Sequence, residues 1–183
     1  MNDAKEKSFN EWLVINSQLG DKSAFEQLLE RWQPRLLAYA TRRLGDRELA
    51  REVVQECLMG ITRGLTRLRD PAAFPGWCYK LLERRCIDAI RTRIRDRQKL
   101  SELVRQQPES DTDQRTGAVQ LEQQVSIQQA VAQLDSNLAA VLKLYYQESF
   151  TIEEIAEVLE IPAGTVKSRL YYARKTLAAI LEE

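Results

Sequence analysis

Near the C-terminus of the chain, cationic, hydroxyl and aromatic side chains gather on one face of a segment with helical periodicity. At about 100° per residue, with Val166 pointing inward, these side chains point outward or lie on the flanks. Lysine and arginine bind phosphate oxygens, and hydroxyl groups can hydrogen-bond to base edges. The residues concerned are Lys167, Ser168, Arg169, Tyr171, Tyr172 and Lys175. They indicate a DNA-binding face. The alternatives are a solvated amphipathic helix and, for the tyrosines, packing against a neighbouring helix.

The elements that would position this face are two short helices joined by a tight turn. Thr151 and Glu154 have the spacing of a capping box, which predicts the start of a helix. Apolar residues recur at helical spacing as far as Leu159, and the pattern breaks at residues 160–162. Pro162 suits the first turn of the next helix because it has no N–H to leave unpaired. Residues 151–177 are therefore predicted to form a helix-turn-helix, whose second helix enters the DNA major groove.

Length and composition limit the classes of protein to consider. The chain has 183 residues, of which 44% are hydrophobic and 30% charged, enough for one domain or two small ones. It has no apolar run long enough to span a bilayer, and its polar first residues, MNDAKEKSF, do not resemble a secretory signal. We therefore expect a cytoplasmic protein with no membrane insertion.

The residue types also argue against catalysis and metal binding. The chain has no histidine, and its three cysteines, Cys57, Cys78 and Cys86, form no C-x-x-C pair. We expect these cysteines to act as small buried hydrophobic residues. No phosphate-cradling glycine loop and no nucleophile–base pair is visible. The sequence thus predicts a protein that is not an enzyme and needs no cofactor.

Charge is segregated along a chain whose formal net charge is zero. Residues 80–99 carry eight Lys or Arg against three Asp or Glu, whereas residues 106–124 carry four acids and one arginine. A free-standing DNA-binding protein usually has a basic excess that supplies affinity through counterion release. A neutral chain with basic patches predicts weak DNA affinity alone, with a partner supplying the rest.

Helical periodicity dominates the remainder, and no strand pattern stands out. Pro34 should kink or divide one helix, Gly45-Asp46 forms a stop-and-cap pair, and residues 70–76 read as a rigid loop before an arginine-rich helix from Trp77. Gly60 and Gly64 lie inside a helix, which indicates either close approach by another backbone or a tolerated weakness. The predicted fold is all-α, with two small helical domains joined by a flexible acidic linker.

The order of these features resembles bacterial RNA polymerase sigma factors of the extracytoplasmic-function class, which retain sigma regions 2 and 4. The stretches that carry the resemblance are Gly20-Asp21 through Phe25, Val54-Gln55-Glu56, Trp77 through Ile87-Asp88-Ala89 and Arg91, and Pro162-x-Gly164-Thr165-Val166-Lys167-Ser168-Arg169-Leu170. It covers almost the whole chain. It implies a region 2-like domain over residues 1–98, a linker over 99–121 and a region 4-like helix-turn-helix domain over 122–183.

The resemblance also implies partners and roles for particular residues. The implied partners are core RNA polymerase, through its β′ clamp helices and β flap, promoter DNA and, as is common in this class, an anti-sigma factor. Residues matching the polymerase-binding helix are Glu52, Gln55, Glu56 and Leu58. Residues matching the helix that meets the −10 element and assists promoter melting are Trp77, Arg84, Arg85 and Arg91. Residues matching the helix that reads the −35 element are Thr165, Lys167, Ser168, Arg169, Tyr171, Arg174 and Lys175.

Two positions depart from the family pattern. The usual Ala-Arg-Asn run of the −10 helix falls on Leu82-Glu83-Arg84, so an arginine replaces the asparagine that helps to receive a flipped base. The turn of the helix-turn-helix, often glycine, is Glu160, and a left-handed backbone there costs a non-glycine residue about 1 kcal/mol or more.

Three functions are compatible with these patterns. The leading one is a promoter-specificity subunit of RNA polymerase. A stand-alone helix-turn-helix regulator would normally dimerise on paired half-sites, and it leaves the arginine-rich N-terminal part without a role. A sigma-like adaptor without promoter activity is the third.

Overall fold

The computed structural model describes residues 2–104, 130–131 and 133–182. Within these residues the chain is helical and contains no strand, as the periodicity predicted. The α-helices are α1 (Asn2–Gln18), α2 (Lys22–Leu44), α3 (Arg47–Gly64), α4 (Phe74–Val104), α5 (Ser136–Tyr146), α6 (Ile152–Leu159) and α7 (Ala163–Glu182). Helix α4 extends into the stretch predicted as a linker, residues 99–121, and the rest of that stretch lies outside the described residues.

The boundaries of the first helices follow from local capping. The Asp21 carboxylate accepts hydrogen bonds from the N–H groups of Ser23 and Ala24 and so begins α2. Gly45 ends α2 in the left-handed conformation, with φ +66°, and Asp46 caps α3. The predicted stop-and-cap pair is therefore confirmed, and it turns the chain sharply between two long helices.

One of the two outcomes predicted for Pro34, division of its helix, does not occur, and the loop before Trp77 differs from the prediction. Helix α2 runs without division from Lys22 to Leu44 and contains Pro34. The α2 residues that flank this exposed proline pack their apolar side against the core, which holds the helix together across the lost hydrogen bond. The predicted loop before Trp77 is shorter than expected, because Pro71–Ala73 forms a 3₁₀ turn and α4 already begins at Phe74.

Helices α1–α4, the N-terminal unit, pack around an aromatic cluster. Trp32 meets the rings of Phe74 and Tyr79 edge-on, with centroids 5.4 and 6.1 Å away, and Tyr39 meets Tyr79 at 5.3 Å. Edge-to-face geometry is favourable because the positive edge of one ring faces the negative face of another. Cys57, Cys78 and Cys86 are also fully buried, as expected of small hydrophobic residues, and burial raises the pKa of the Cys57 thiol to about 12.

Helices α5–α7, the C-terminal unit, contain the predicted helix-turn-helix. The capping box is confirmed: the Thr151 hydroxyl accepts from Glu154 N at 3.2 Å, and Thr151 N donates to the Glu154 carboxylate at 2.8 Å. Glu160 ends α6 with φ +54° and ψ +43°, the left-handed conformation expected there. Pro162 lies just before α7, which begins at Ala163, and accepts hydrogen bonds from Thr165 N and Val166 N through its carbonyl.

The two units share one continuous hydrophobic core, in which α6 packs on α4 and α5 packs on α2. Among the described residues, no helix is both long and apolar enough to cross a bilayer.

Candidate functional site

Helix α7 separates an inward apolar side from an outward polar one. Val166, Leu170 and Ala173 are buried, while Tyr171 and Tyr172 are 63% and 58% exposed. The two tyrosine rings contact each other edge-on at 5.5 Å. More than half of each tyrosine therefore faces solvent, which favours the outward face over packing against a neighbouring helix, the alternative for these residues. Other exposed residues on this side are Lys167, Ser168 and Lys175.

Three residues predicted to bind DNA from this face are partly buried or already hydrogen-bonded within the protein. Thr165 is half-buried, and Ser168 Oγ donates hydrogen bonds to the carbonyls of Gly164 and Thr165 at 3.0 and 3.1 Å. Arg169 is half-buried and lines a small cleft that it shares with Arg43 and Glu83 of the N-terminal unit. The outward face of α7 thus runs into the boundary between the two units.

Arg174 has a structural partner on α5. Its Nε donates to the hydroxyl of Tyr146 at 3.0 Å, and its guanidinium lies 5.7 Å from the ring centroids of both Tyr145 and Tyr146. Cation–π contacts of this kind stabilise exposed sites by about 0.5–1 kcal/mol. Arg174 therefore joins α7 to α5 in addition to presenting a positive charge.

The second set of predicted residues lies on α4. Arg84, Arg85 and Arg91 are exposed. Arg85 Nη1 lies 3.5 Å from a Glu56 oxygen of α3, and Arg84 is paired with Glu160 of the C-terminal unit. Trp77 is half-buried, because its indole lies against Gly64 of α3. The structure thus places the arginines on the surface and gives Trp77 a packing contact.

The third set lies on α3. Glu52, Gln55 and Glu56 are exposed at positions i, i+3 and i+4 and so share one face. Leu58 is half-buried and lies off this face, whereas Met59, at i+7, lies on it with 45% of its surface exposed. Sequence reasoning missed Met59, although the helical spacing from Glu52 could have identified it.

A buried polar network between helices was also missed. Glu83, only 3% exposed, accepts from the Tyr39 hydroxyl at 3.0 Å and pairs with Arg43 at 2.9 Å. Arg43 Nη1 then donates to Ser136 Oγ at 2.9 Å, at the start of α5. Burial, with the nearby Glu83 charge, raises the pKa of Tyr39 well above its ordinary value. The available signal was Glu83 itself, a carboxylate at helical spacing from Tyr79 and Cys86.

Lys143 is a second unexpected buried charge. It is 7% exposed, and its Nζ lies 5.6 Å from the centroid of the Tyr39 ring. Burial lowers its pKa to about 8, against the opposing effect of the Glu148 charge. In the described part of the chain, Cys, Asp and Glu side chains form no cluster that could hold a metal ion.

Comparison with known sequences accounts for both units. Residues 28–96 match the family described as Sigma-70 region 2, and residues 124–177 match Sigma-70, region 4. The chain is 28% identical over 179 residues to RNA polymerase sigma-H factor of Pseudomonas aeruginosa, covering 93% of this chain and 92% of that protein. It is 26% identical over 172 residues to the ECF RNA polymerase sigma factor SigW of Bacillus subtilis, covering 90% and 92%.

The chain is a sigma factor of the extracytoplasmic-function class. Its fold is that of the sigma factor RpoE solved in complex with the anti-sigma factor NepR from Bartonella quintana. The two share a TM-score of 0.66 at 23% identity over 86% of this chain and 96% of that one. This sigma factor is therefore a transcription initiation factor that recognises promoters with RNA polymerase. The resemblance stated from its motifs is confirmed.

Proposed function

We propose that this sigma factor divides promoter recognition between two domains, residues 1–98 and 122–183, connected by a linker over residues 99–121. The observation that carries the proposal is that two exposed basic faces, on α4 and α7, lie within the segments matching sigma regions 2 and 4. Two DNA-binding domains on one chain bind a promoter more tightly than either domain alone, since the second binding event becomes intramolecular. The zero net charge fits this arrangement, because polymerase supplies further DNA contacts.

On α3, the polymerase-binding face consists of Glu52, Gln55, Glu56 and, in place of the half-buried Leu58, Met59. An exposed methionine beside carboxylate and amide groups suits a protein interface, in which apolar contacts give affinity and charges set register. The β′ clamp helices are the proposed partner of this face.

On α4, Arg84, Arg85 and Arg91 follow the phosphates of the −10 region, and Trp77 supports the start of the helix through its contact with α3. Guanidinium planes can also stack on unpaired bases, which favours the melted strand over the duplex. Promoter melting in this scheme is a shift of population and involves no catalysis by the sigma factor.

On α7, Lys167, Arg169 and Tyr171 reach base edges or phosphates of the −35 element, with Thr165 and Ser168 at the start of the helix. Arg174 and Lys175 contact phosphates further along. An anti-sigma factor is a further proposed partner, since a sigma factor of the same fold was solved with one. The site of action is the cytoplasm, where polymerase works.

Run-off transcription with purified core polymerase, alongside gel shifts of the sigma factor alone, tests the proposal. We expect promoter-dependent transcripts without tight binding of DNA by the free protein. Tight sequence-specific binding by the free protein with no stimulation of core polymerase would favour a stand-alone regulator. Polymerase binding without transcripts from any promoter in a randomised library would favour an adaptor.

A further inference from the structure

The two positions at which the chain departs from its family pattern are in contact with each other. Arg84 of α4 and Glu160, in the turn between α6 and α7, are 76 residues apart in sequence. Arg84 Nη2 donates to Glu160 Oε1 at 2.5 Å and Arg84 Nε donates to the same oxygen at 3.2 Å. Lys80 Nζ, one turn earlier on α4, lies 3.7 Å from that oxygen. The Glu160 carboxylate therefore pairs with two cationic side chains, Arg84 and Lys80, of the proposed −10 helix.

Glu160 contacts α4 from a turn with an unusual backbone. Its left-handed conformation, unusual for a residue with a side chain, ends α6 and turns the chain toward α7. A glycine would make this turn at lower conformational cost but would carry no carboxylate. Glutamate thus keeps the turn and adds the contact with Arg84.

An exposed ion pair contributes little by itself, so the contact depends on the packing beneath it. We call this packing the seam. From the N-terminal unit it contains Tyr39, Arg43 and Tyr79, and from the C-terminal unit Ser136, Lys143 and Phe150. Phe150 is 9% exposed and its ring meets that of Tyr79 edge-on at 5.7 Å. The Arg43–Ser136 hydrogen bond and the contact of Lys143 with the Tyr39 ring join polar groups of the two units across the seam.

Packing of the two units against each other occupies two side chains outside the seam, Arg84 and Arg169, that the proposed function needs for DNA. The same Arg84 donors cannot serve both Glu160 and a DNA phosphate or base. Arg169, on α7 of the C-terminal unit, lines a cleft together with Arg43 and Glu83 of the N-terminal unit. One predicted DNA contact from each unit is therefore turned toward the opposite unit.

We infer that the free sigma factor rests in this closed form, held by the seam and the Arg84–Glu160 pair, and that the two units must separate before Arg84 and Arg169 engage a promoter. The need for the units to separate before DNA binding rests on the proposed function. The closed form itself does not, and it can be tested without polymerase. The contact acts within one chain and requires no second protein.

The test measures the distance between the units in the full-length free protein. The native cysteines are buried, so spin labels can be placed at Ala38→Cys on α2 and Thr176→Cys on α7, exposed positions one turn from Arg42 and next to Leu177, which line the same cleft between the units. We expect one short distance in the wild-type background. Arg84→Glu and Glu160→Arg should each shift the closed-to-open ratio about fivefold toward open, as expected for reversing one exposed pair. The charge swap carrying both changes should restore the short distance.

A broad, long distance distribution in the wild-type background would overturn the closed form. A short distance that neither reversal changes would overturn the role of the Arg84–Glu160 pair. Glu160→Gln is the matched variant for function, because it keeps the shape and backbone cost of the side chain but removes its charge. We expect it to raise the affinity of the polymerase-bound sigma factor for promoter DNA about twofold to fivefold, and an unchanged promoter affinity would contradict the masking. If no variant supports transcription although the distances behave as expected, the proposed function fails and the closed form stands.

Discussion

Gly64 of α3 lies directly against the indole of Trp77 at the start of α4. A Cβ placed on Gly64 would come within 2.8 Å of Trp77 Cζ2 and 3.2 Å of Cη2. Glycine inside a helix costs up to about 1 kcal/mol relative to alanine, and here that cost permits a close approach between two helices. The group that comes close to Gly64 is thus a side chain of α4, and the backbone that the sequence led us to expect there is not among its nearest contacts.

Gly64→Ala should destabilise the N-terminal unit, because the rigid indole has to move away from the added methyl group. We expect a net loss of about 1–3 kcal/mol in the free energy of unfolding, typical of overpacking. Denaturant unfolding followed by tryptophan fluorescence measures it. Gly76→Ala is the matched control, since nothing lies within 4 Å of its Cβ position and its φ is not positive. Equal effects of the two substitutions would contradict the steric explanation.

Lys143→Met should stabilise the chain at neutral pH by removing a charge that burial disfavours. The pKa of Lys143 is lowered from 10.5 to about 8 in the folded chain. Between pH 8 and 10.5 the unfolded chain binds more protons than the folded chain, so the free energy of unfolding rises with pH. Below pH 8 Lys143 is charged in both states, and its destabilising effect is fully present. At pH 7 we expect a gain of at most about 3 kcal/mol, reduced by loss of the contact with Tyr39.

The measurement for Lys143 is the difference in unfolding free energy between wild type and Lys143→Met from pH 7 to 10.5. Taking the difference is necessary because Cys57 and Cys86, each with a pKa raised to about 12, affect stability in the opposite direction over this range. Glu148 and Arg42 are the charged groups whose fields act on Lys143. A difference that stays constant with pH would show that Lys143 keeps its ordinary pKa.

Local chemistry made the helix-turn-helix predictable, and distant packing made the seam unpredictable. The spacing of Thr151 and Glu154, three residues apart, predicts their capping box, and the pair Gly45-Asp46 predicts a turn in the same way. Arg84 and Glu160 each appeared as an isolated departure, because nothing in a single sequence pairs positions 76 residues apart. Lys143 was likewise unremarkable within its helix, since its burial depends on α2, a hundred residues upstream.

Thr151→Ala should weaken α6, the first helix of the helix-turn-helix. This helix has eight residues, too few to be stable without capping and packing. Losing the cap should cost about 1 kcal/mol. Glu154→Ala should cost less, and the double substitution should cost less than the two together because both belong to one capping box. Glu157→Ala, exposed on the same helix, is the control. Full additivity would argue against the reciprocal cap.

Glu52→Lys should reduce the affinity for core polymerase without loss of stability, because Glu52 is exposed on the α3 face and contacts no other described side chain through an ion pair within 4 Å. We expect roughly a tenfold weakening, which corresponds to about 1.4 kcal/mol. Met59→Ala should weaken binding on the same face. Glu26→Lys makes the same charge change on an exposed part of α2 and should bind normally. Equal losses for Glu52→Lys and Glu26→Lys would indicate a general charge effect in place of a specific interface.

Arg84→Asn restores the residue that the family pattern places in the −10 helix. If Arg84 contacts the −10 region, its replacement should change base preference there, with a discrimination of about 1–3 kcal/mol at an affected position. Transcription from a promoter library randomised at both elements measures this, and the −35 preferences should stay constant. Asparagine is also too short to reach Glu160, so core affinity should not fall. Glu160→Gln separates the two effects: it releases Arg84 but leaves it in place, and its −10 profile should match wild type. An Arg84→Asn profile identical to wild type would leave Arg84 with the contact to Glu160 as its only role.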